Sequence, residues 1–530
     1  MAERFEKGEI VIDPEFGLNS EQETDSSDDE AQIDDSDDDV PLADLIPLSE
    51  VAKNDVAEHV YRWRADRTPP PQMSGEFKGN LEVDEGDLHN PIDYFKSFMD
   101  DEMIQLIADQ TNLYSVQCDV AKGSIATTKT EVERLLSVFL KMCIVQMPRY
   151  SMYWEAETRY SPIASLMSRD RFKKLKGFLH FNDNSKAPSK TENMYDKLYK
   201  IRPLLQMLRK NCLAVPPEEI NSVDEQMIPF KGKSSLRRYL PKKPKKWGFK
   251  VFSRNGQSGF CYDFEVEGAP DPQQENRVNP VDLIGKSSGD VVLRMCSYLP
   301  KNQNYKVYFD NYFTFPELLS KLKQWGICAV GTIRQDRLRG CSEVMKSEKE
   351  LKKEGRGSFC GAVDLNTGTT VVRWYDKKLV QLASNYAYTH PTDVVQRWSK
   401  TDNKYVEVPR PQIVVTYNAG MGGVDLFDMF QALYRLHHKC RKGYMRFFFG
   451  ILGTAVINAW CLYRRMMKQK GVPIAKQLDL LKFTCSVSHS LAEAKYEERE
   501  EGGQASRHHL YPQISCPAKH PKWTTDRYSH

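Results

Sequence analysis

Three aspartates stand in apolar and aromatic surroundings at separate points of the chain. Asp224 lies in NSVDEQMIPF, Asp310 in YKVYFDNYFTF and Asp425 in MGGVDLFDMF. A carboxylate among apolar residues is costly to bury unless its charge is used, and divalent cations are common users. A pair of such ions can activate an attacking hydroxyl and stabilise the leaving oxygen of an in-line displacement. The three residues therefore predict metal-dependent phosphodiester chemistry.

Strands and a helix are expected to position these carboxylates. Asp310 ends the alternating segment YKVYFD, and Asp224 lies in the strand-like INSVDEQMIPF, so adjacent strands would bring both to one sheet edge. Asp425 follows the Gly422-Gly423 turn and is expected on the first turn of a helix, with Asp428 on the same face. Helix N-termini also favour aspartate for capping and dipole reasons, which is the alternative explanation for this second pair.

The residue periodicity changes from helical to strand-like near position 218. Before it, Phe95, Phe98 and Ile104 follow the spacing of one buried helix face, and Thr130 and Glu133 have capping-box spacing. After it, the segments EINSVDEQMIPF, KKWGFKVFSR and FCYDFEVEG predict a meander of three strands. The segments SGDVVLRMCSYL, YKVYFD, FPELLSKLKQWG and ICAVGTI then predict helix, strand, helix and strand, which indicates an α/β core.

The second half of the chain returns from strands to helices. A polar block with the strands TTVVRWYD and LVQLASNY predicts a β-rich insertion, and QIVVTYN predicts one more strand. LFDMFQALYRLHHK then predicts a helix. The apolar segment FFFGILGTAVINAWCL at 447–462 is shorter than the ~20 residues that span a membrane, so we expect a buried core helix and no membrane partner.

Charge is distributed unevenly along the 530 residues. The net charge is +3, yet residues 1–50 hold 18 acidic and 2 basic residues, so the remaining 480 carry +19. The acidic run and the proline cluster RTPPPQ predict a disordered N-terminal region. Twelve cysteines without a CxxC pair favour a reducing compartment, and the start lacks the apolar core of a secretory signal, so no export is expected.

The segment 231–250 carries nine basic residues and no acid, with Tyr239 and Trp247 interleaved. It directly follows the strand of Asp224, so its cations would neutralise phosphates beside a scissile bond. PKKPKK also fits a nuclear import signal, and a solvated basic loop is the plain alternative. The predicted DNA contacts of this segment are Lys231, Lys233, Arg237, Arg238, Lys242, Lys243, Lys245 and Lys246.

A second basic cluster, YRLHHKCRKGYMR at 434–446, follows the third aspartate. On a helix Arg435 and Lys439 would share one face, which predicts contact with the DNA backbone. The neighbouring His437 and His438 would point to different sides of that helix, so joint metal chelation is not expected.

The chain resembles the piggyBac transposase family, which includes the piggyBac transposable element-derived proteins of animal genomes. The resemblance rests on SRDRFKKLKGFLHFNDN, DKLYKIRPLL, VDEQMIPFKGK, PKKPKKWGFK, YFDNYFTFPELL, GTIRQDR and YNAGMGGVDLFD, and it covers roughly 90–465 in matching order. The first aspartates of the VDE, DN(Y/F)FT and GGVD motifs are Asp224, Asp310 and Asp425, and Asp428 matches a further acidic position of the family.

The resemblance implies a ribonuclease H-like catalytic core with a DDD triad. It also implies double-stranded DNA with TTAA-flanked ends as partner and a homodimer. The aspartates themselves would hold two Mg²⁺ or Mn²⁺ ions, and PKKPKK favours a nuclear location. The expected domains are a disordered region 1–85, a helical dimerisation and DNA-binding domain 86–217 and 431–500, a catalytic core 218–333 and 411–430, a β-rich insertion 334–410, and a flexible tail 501–530.

The last 40 residues depart from the family pattern. Many members end in a cysteine-rich zinc module, whereas this tail offers Cys516 and four histidines without paired cysteines, so no zinc site is expected. Three functions stay open: a DDD transposase, a domesticated nuclear DNA-binding or chromatin-associated protein that does not transpose, and a nuclease that nicks DNA without joining it.

Overall fold

The computed structural model describes residues 60–65, 75–83, 86, 88–192, 194–241, 243–271, 278–400, 403–435 and 442–493. The acidic run within residues 1–50 and the predicted flexible tail 501–530, with its histidines and Cys516, lie outside the described residues.

The described residues form helices and strands that are numbered in chain order. The helices are α1 Pro91–Lys96, α2 Asp101–Cys118, α3 Lys129–Ile144, α4 Ser161–Ala164, α5 Arg169–Phe178, α6 Arg202–Leu213, α7 Ser287–Cys296, α8 Pro316–Gln324, α9 Glu348–Glu354, α10 Gln412–Gly420, α11 Gly423–Leu433, α12 Gly443–Gln469 and α13 Leu480–Glu493. The strands are β1 Trp63–Ala65, β2 Ile220–Pro229, β3 Arg237–Tyr239, β4 Trp247–Gly256, β5 Cys261–Val266, β6 Lys306–Phe309, β7 Cys328–Thr332, β8 Phe359–Asp364, β9 Thr370–Tyr375, β10 Leu379–Ser384, β11 Asp393–Ser399 and β12 Lys404–Arg410.

One mixed sheet organises the centre of the molecule. Its strand order is β1-β8-β9-β10-β7-β6-β2-β4-β3, and β5 pairs with β4. β6 runs parallel to both β2 and β7, whereas β4 runs antiparallel to β2. The predicted meander of β2, β4 and β5 is confirmed, and so is the order α7, β6, α8, β7.

Both faces of the sheet are covered, which explains why its central strands are apolar on both sides. Val307 and Phe309 of β6 point into a core with α7 and α8. Tyr308 points the other way, into a core that contains Ile413 and Val414 of α10. The sheet is therefore the middle layer between two layers of helices.

A further core combines α1 to α6, α12 and α13 with residues of β4 and β5. Phe95, Phe98 and Ile104, which the spacing placed on one buried face, are fully buried. Among the described residues, α12 is the one helix long and apolar enough to cross a membrane, yet 72% of its most apolar window is buried inside the protein. The prediction of a core helix at 447–462 is confirmed.

The prediction of a strand at QIVVTYN is wrong, because these residues form α10. β-branched residues favour strands in isolation, but Ile413, Val414 and Tyr417 recur at helical spacing and pack on the sheet. The capping prediction is also displaced by two residues. Thr128 rather than Thr130 caps α3, since its hydroxyl accepts a hydrogen bond from the backbone N–H of Glu131.

Parts of the region predicted to be disordered, 1–85, are ordered. β1 pairs antiparallel with β8, and the Trp63 indole N–H donates to the carbonyl of Arg339 at 2.9 Å. In residues 75–83 the carbonyl of Glu76 accepts a hydrogen bond from the Asn304 side chain. The average composition of the leader is polar, but the short segment VYRWRA supplies enough aromatic surface to dock on the sheet.

Residues 334–410 contain five strands with two different roles. β8, β9 and β10 extend the large sheet through antiparallel pairing with one another and with β7. β11 and β12 form a separate hairpin. The strands expected at TTVVRWYD and LVQLASNY are confirmed, while the domain boundaries at 334 and 410 stay a prediction.

Candidate functional site

Asp224 and Asp310 lie on neighbouring parallel strands. Val223 of β2 is opposite Phe309 of β6, and Asp310 is the first residue beyond the end of β6. The parallel register therefore places the two aspartates side by side at the carboxyl end of β6, as their sequence settings predicted. With Glu225 they form a group whose carboxylate oxygens, one from each residue, all lie within 4.8 Å of one another.

Glu225 was not predicted as a site residue. In a regular strand it would face away from Asp224, because adjacent side chains alternate between the two faces. β6 pairs only with residues 220–223 of β2, however, so the edge of β2 is open next to Glu225 and its carboxylate reaches around to Asp310. Its Oε2 atom is buried and accepts no hydrogen bond from the described residues.

The possible ligand atoms of this group are all carboxylate oxygens, and the buried Oε2 of Glu225 has no hydrogen-bond partner in the part of the chain that the structure describes. Hard oxygen ligands of this kind suit Mg²⁺ and Mn²⁺. The acidic side chains present at the strand ends therefore fit the divalent metal that the motifs imply.

The loop that follows Asp310 is fixed by its own backbone and by an arginine. The Asp310 carboxylate accepts the N–H of Tyr312, and its carbonyl accepts the hydroxyl of Thr314, both at 2.8 Å. Nη1 of Arg337 lies 2.9–3.0 Å from the carbonyls of Asn311, Tyr312 and Thr314. Arg337 therefore holds the turn that aims Asp310, which gives a physical role to the second arginine of GTIRQDR.

The strand carboxylates retain protons more strongly than ordinary aspartates. Burial, followed by the charge of Glu225, raises the pKa of Asp224 to about 8, against the lowering effect of Lys243. Burial also raises the pKa of Asp310, with Glu225 adding to the effect. Close packing of like charges with little solvent has this result, and a bound cation would reverse it.

Asp425 and Asp428 lie on α11, as predicted, on the helix that packs across β2 and β4. Gly423 permits this packing, because a Cβ there would lie 2.5 Å from the carbonyl oxygen of Gly256. The backbone N–H of Val424 donates to the Ser222 hydroxyl at 3.2 Å. The glycine of GGVD thus lets the helix start approach the strand that carries Asp224.

The two helix carboxylates have different surroundings. Asp425 is exposed and Asp428 is half-buried. Burial raises the pKa of Asp428 to about 7, where Lys243 and Arg435 act to lower it and Asp425 to raise it. Asp425 and Asp428 lie outside the compact group of Asp224, Glu225 and Asp310.

The phenol of Tyr417 on α10 is influenced by both the strand carboxylates and the helix carboxylate Asp425. Burial raises the pKa of this phenol, and the charges of Asp310, Asp224 and Asp425 raise it further. The phenol is therefore close enough to all three aspartates to feel their charge. The charges of the three predicted aspartates thus act on one buried phenol.

Some cations of the basic segment 231–250 contact the protein itself, and others are exposed. Lys243 turns inward, and its ammonium donates to the carbonyl of Glu225 at 2.9 Å. Arg237 donates to the carbonyls of Lys231 and Gly232, and Arg238 forms an ion pair with Glu267. These three cations are partly used by the protein itself.

The remaining predicted contacts of this segment face outward. Lys231, Lys233, Lys245 and Lys246 are exposed along the turn regions around β3 and the start of β4. Lys242 lies outside the described residues.

The prediction of a helix through 434–446 is wrong at its start. α11 ends at Leu433, so Arg435 lies beyond the helix, where its carbonyl accepts a hydrogen bond from Gln146. Burial lowers the pKa of Arg435, while the charge of Asp428 raises it. Lys439, His437 and His438 lie outside the described residues.

Comparisons with known proteins show the family to which the chain belongs. A family model described as Transposase IS4 matches residues 90–460. The human piggyBac transposable element-derived protein 3 is 30% identical over 459 residues, which cover 84% of this chain and 73% of that protein. The chain belongs to the piggyBac transposase family. The human piggyBac transposable element-derived protein 2 is 28% identical over 425 residues, covering 79% of this chain and 68% of the relative.

A solved structure has the same fold as this piggyBac family member. It is the cryo-EM structure of a piggyBac transposase synaptic complex with hairpin DNA, with a TM-score of 0.63 and 23% sequence identity. The match covers 79% of this chain and 83% of the other chain. The mixed α/β architecture with its large sheet is thus a piggyBac transposase fold.

Proposed function

We propose that this protein binds double-stranded DNA and, with two divalent ions, cleaves a strand and transfers the 3′ end to a new site. The observation that carries the proposal is the convergence of Asp224, Glu225 and Asp310 within 4.8 Å at the carboxyl end of β6. The three carboxylates at the end of β6, together with Asp425 and Asp428 on α11, supply oxygen ligands of the kind that phosphodiester chemistry with two ions requires.

Asp224, Asp310 and Asp425, with Glu225 and Asp428 beside them, would hold Mg²⁺ or Mn²⁺. The ions supply an activated hydroxyl nucleophile and a counter-charge for the leaving 3′ oxygen. The chain itself fixes the orientation of the ligands: Arg337 and the Asp310 loop hold one, and Gly423 sets the height of α11 above the sheet. Lys243 partly balances the carboxylates before any ion binds.

The catalytic core that we propose is ribonuclease H-like. Its support is the strand arrangement: an antiparallel meander β2, β4 and β5, followed by β6 and β7, both parallel to β2. The first strand of the meander lies centrally and carries Asp224. β6 ends immediately before Asp310, and the start of α11, which carries Asp425, is hydrogen-bonded to β2 through Val424 and Ser222.

The basic segment supplies the DNA side of the proposal. Exposed lysines on both sides of the β3–β4 turn would contact phosphates, and this electrostatic contact does not depend on base sequence. Preference for TTAA, assembly as a homodimer and import into the nucleus through PKKPKK are proposed on the family resemblance.

A direct test incubates the purified chain with Mg²⁺ or Mn²⁺ and labelled duplexes that contain TTAA. We expect nicked strands first, and then hairpin or strand-transfer products, with none of these from Asp310→Asn. Identical product patterns from wild type and Asp310→Asn would remove the assigned site. Nicked strands without joined products would indicate a nuclease that cuts DNA but does not transfer the strand.

A second candidate function is DNA binding without transposition. Both human relatives carry the description "transposable element-derived" rather than "transposase". The same experiment tests this function. Duplex binding by wild type and Asp310→Asn with equal affinity, and no metal-dependent product from either, would favour a domesticated DNA-binding protein.

A further inference from the structure

Two exposed aromatic rings lie on the basic hairpin formed by β3 and β4. Tyr239 and Trp247 are directly opposite each other across the two strands. Their ring centroids are 4.7 Å apart, and the rings are tilted by 43°. Tyr239 is 49% exposed and Trp247 is 45% exposed, so about half of each ring is open to solvent. We call these two residues the aromatic pair.

The aromatic pair has a cationic border. The guanidinium of Arg237 lies 4.6 Å from the ring centroid of Trp247, which covers one side of the indole with a fixed positive charge. Lys245 and Lys246 immediately precede Trp247 and are exposed. Residues 231–250 contain no acidic residue. A polyanion with flat aromatic groups matches this surface in both charge and shape.

The aromatic pair is connected to the carboxylates through the same hairpin. Asp224 is opposite Ser253 on β4, six residues from Trp247, which corresponds to a distance of about 20 Å along the strand. Between them, the hairpin turn folds back so that Lys243 reaches Glu225 at 2.9 Å. A DNA strand whose phosphate lies at the carboxylates would reach the aromatic pair after about six base-pair steps.

We propose that Tyr239 and Trp247 stack on an unpaired base of the DNA substrate, beside the point where its duplex ends or is opened. The inference rests on the proposed function. Stacking within the course of the duplex needs an unpaired base, because a base paired inside the duplex offers only its edges. The surface therefore selects DNA with single-stranded or unpaired nucleotides next to a duplex.

A purely structural role is the competing explanation, since cross-strand aromatic pairs also stabilise edge hairpins. The chain provides a matched control. Trp398 and Tyr405 are likewise opposite each other across the β11–β12 hairpin, with centroids 5.2 Å apart and 41% and 68% exposure. That hairpin mixes four basic with three acidic residues between 393 and 410, so it lacks the cationic border.

The experiment measures binding by fluorescence anisotropy in a chelator, so that no cleavage takes place. One probe is a blunt duplex, and the other is the same duplex with an unpaired single-stranded extension. We expect the extension to tighten binding to the wild-type chain. Tyr239→Ala and Trp247→Ala should each reduce that gain by roughly tenfold, the usual contribution of one stacked base.

Two further variants separate stacking from folding. Trp247→Phe keeps a ring and should retain most of the gain, whereas Trp398→Ala should leave both probes unchanged. Binding of the blunt duplex should change by no more than about twofold in each variant, because phosphate contacts dominate there.

The outcomes are distinct for the two proposals. An equal gain from the extension in wild type and Trp247→Ala overturns the stacking inference, and so does an equal loss on both probes, but neither affects the proposed cleavage. If the extension tightens binding through the aromatic pair but no metal-dependent product forms, the stacking inference holds and the proposed cleavage is wrong. If the chain binds neither probe, both the stacking inference and the proposed function are wrong.

Discussion

The candidate site has two halves that the protein builds in different ways. Asp224, Glu225 and Asp310 extend from strands that are anchored on both faces by apolar cores. Asp425 and Asp428 lie on α11, which approaches the sheet through the close packing of Gly423 and the hydrogen bond from Val424 to Ser222. The strand half is determined by register, and the helix half is determined by packing. The comparison shows that one acidic site can be assembled from strand ends and from a separately packed helix start.

The largest expected difference concerns the carboxylates themselves. Asp310→Asn should lower DNA cleavage at least about 100-fold, the loss typical when a group that stabilises transition-state charge is removed. Asp428→Asn, outside the compact group, should cost only about tenfold, as for a group that orients metal ligands. Initial rates with Mg²⁺ measure both. Equal losses would mean that the two halves contribute equally.

The second test moves the helix half while leaving its carboxylates in place. In Gly423→Ala the new methyl group would collide with the carbonyl of Gly256, so α11 must shift away from β2. We expect a loss of about 2 kcal/mol in the free energy of unfolding, together with weaker cleavage.

Gly422→Ala is the matched control, because a Cβ at Gly422 would meet no atom within 4 Å. Denaturant unfolding and cleavage rates of the two variants should differ clearly. Similar behaviour of the two alanine variants would contradict the close-contact argument.

The third test loosens the strand half. Arg337→Met keeps an unbranched side-chain stem but removes the guanidinium that donates to three loop carbonyls, so Asp310 loses its fixed orientation. We expect roughly tenfold weaker metal affinity. Arg334→Met also removes a cation whose charge acts on Asp310, but it breaks a contact with the Asn311 side chain rather than with the loop carbonyls, and it should have a smaller effect. Isothermal titration with Mn²⁺ compares them, and the same affinity in both variants would exclude a positioning role for Arg337.

The smallest effect follows from the proton held by Asp224. Its folded pKa of about 8 is above the ordinary value of 3.8, so between pH about 4 and 8 the unfolded chain has released a proton that the folded chain keeps. The stability contributed by this group is therefore lost as pH rises through that window.

Asp224→Asn should raise the Tm in a chelator by a few degrees at pH 8 and change it little at pH 4. Added Mg²⁺ should stabilise the wild type more than the variant, and more strongly at high pH, because binding releases protons. A wild-type Tm that rises from pH 4 to 8 in parallel with the variant would contradict the assigned pKa.

The sequence was sufficient for the parts of the site that depend on local pattern. Alternation in YKVYFD placed Asp310 at a strand end, and the glycine turn placed Asp425 on a helix start. Glu225 was missed because strict alternation puts it on the opposite face, and only the early end of β6 lets it join the group. Arg337 was missed because its role depends on contacts with a loop more than 20 residues away in sequence.

The fold was predicted less well where tertiary packing overrides propensity. QIVVTYN has the composition of a strand, yet it forms α10 because the sheet offers its face rather than an edge. The pairing of β8 to β10 with the large sheet was likewise not readable from their own residues. β10 joins the large sheet by pairing with β7, and the alternation of residues within a strand does not show which other strand it will pair with.

β1 has a consequence for how this protein can be shortened. It has only three residues, but it is hydrogen-bonded along β8, which would otherwise be the outer strand at that end of the sheet. A fragment that begins at residue 90, where the family match begins, would leave β8 with an open row of backbone donors and acceptors. Such an edge invites pairing with the same edge of another molecule. The short strand around Trp63 thus covers the edge of β8 and disfavours self-association.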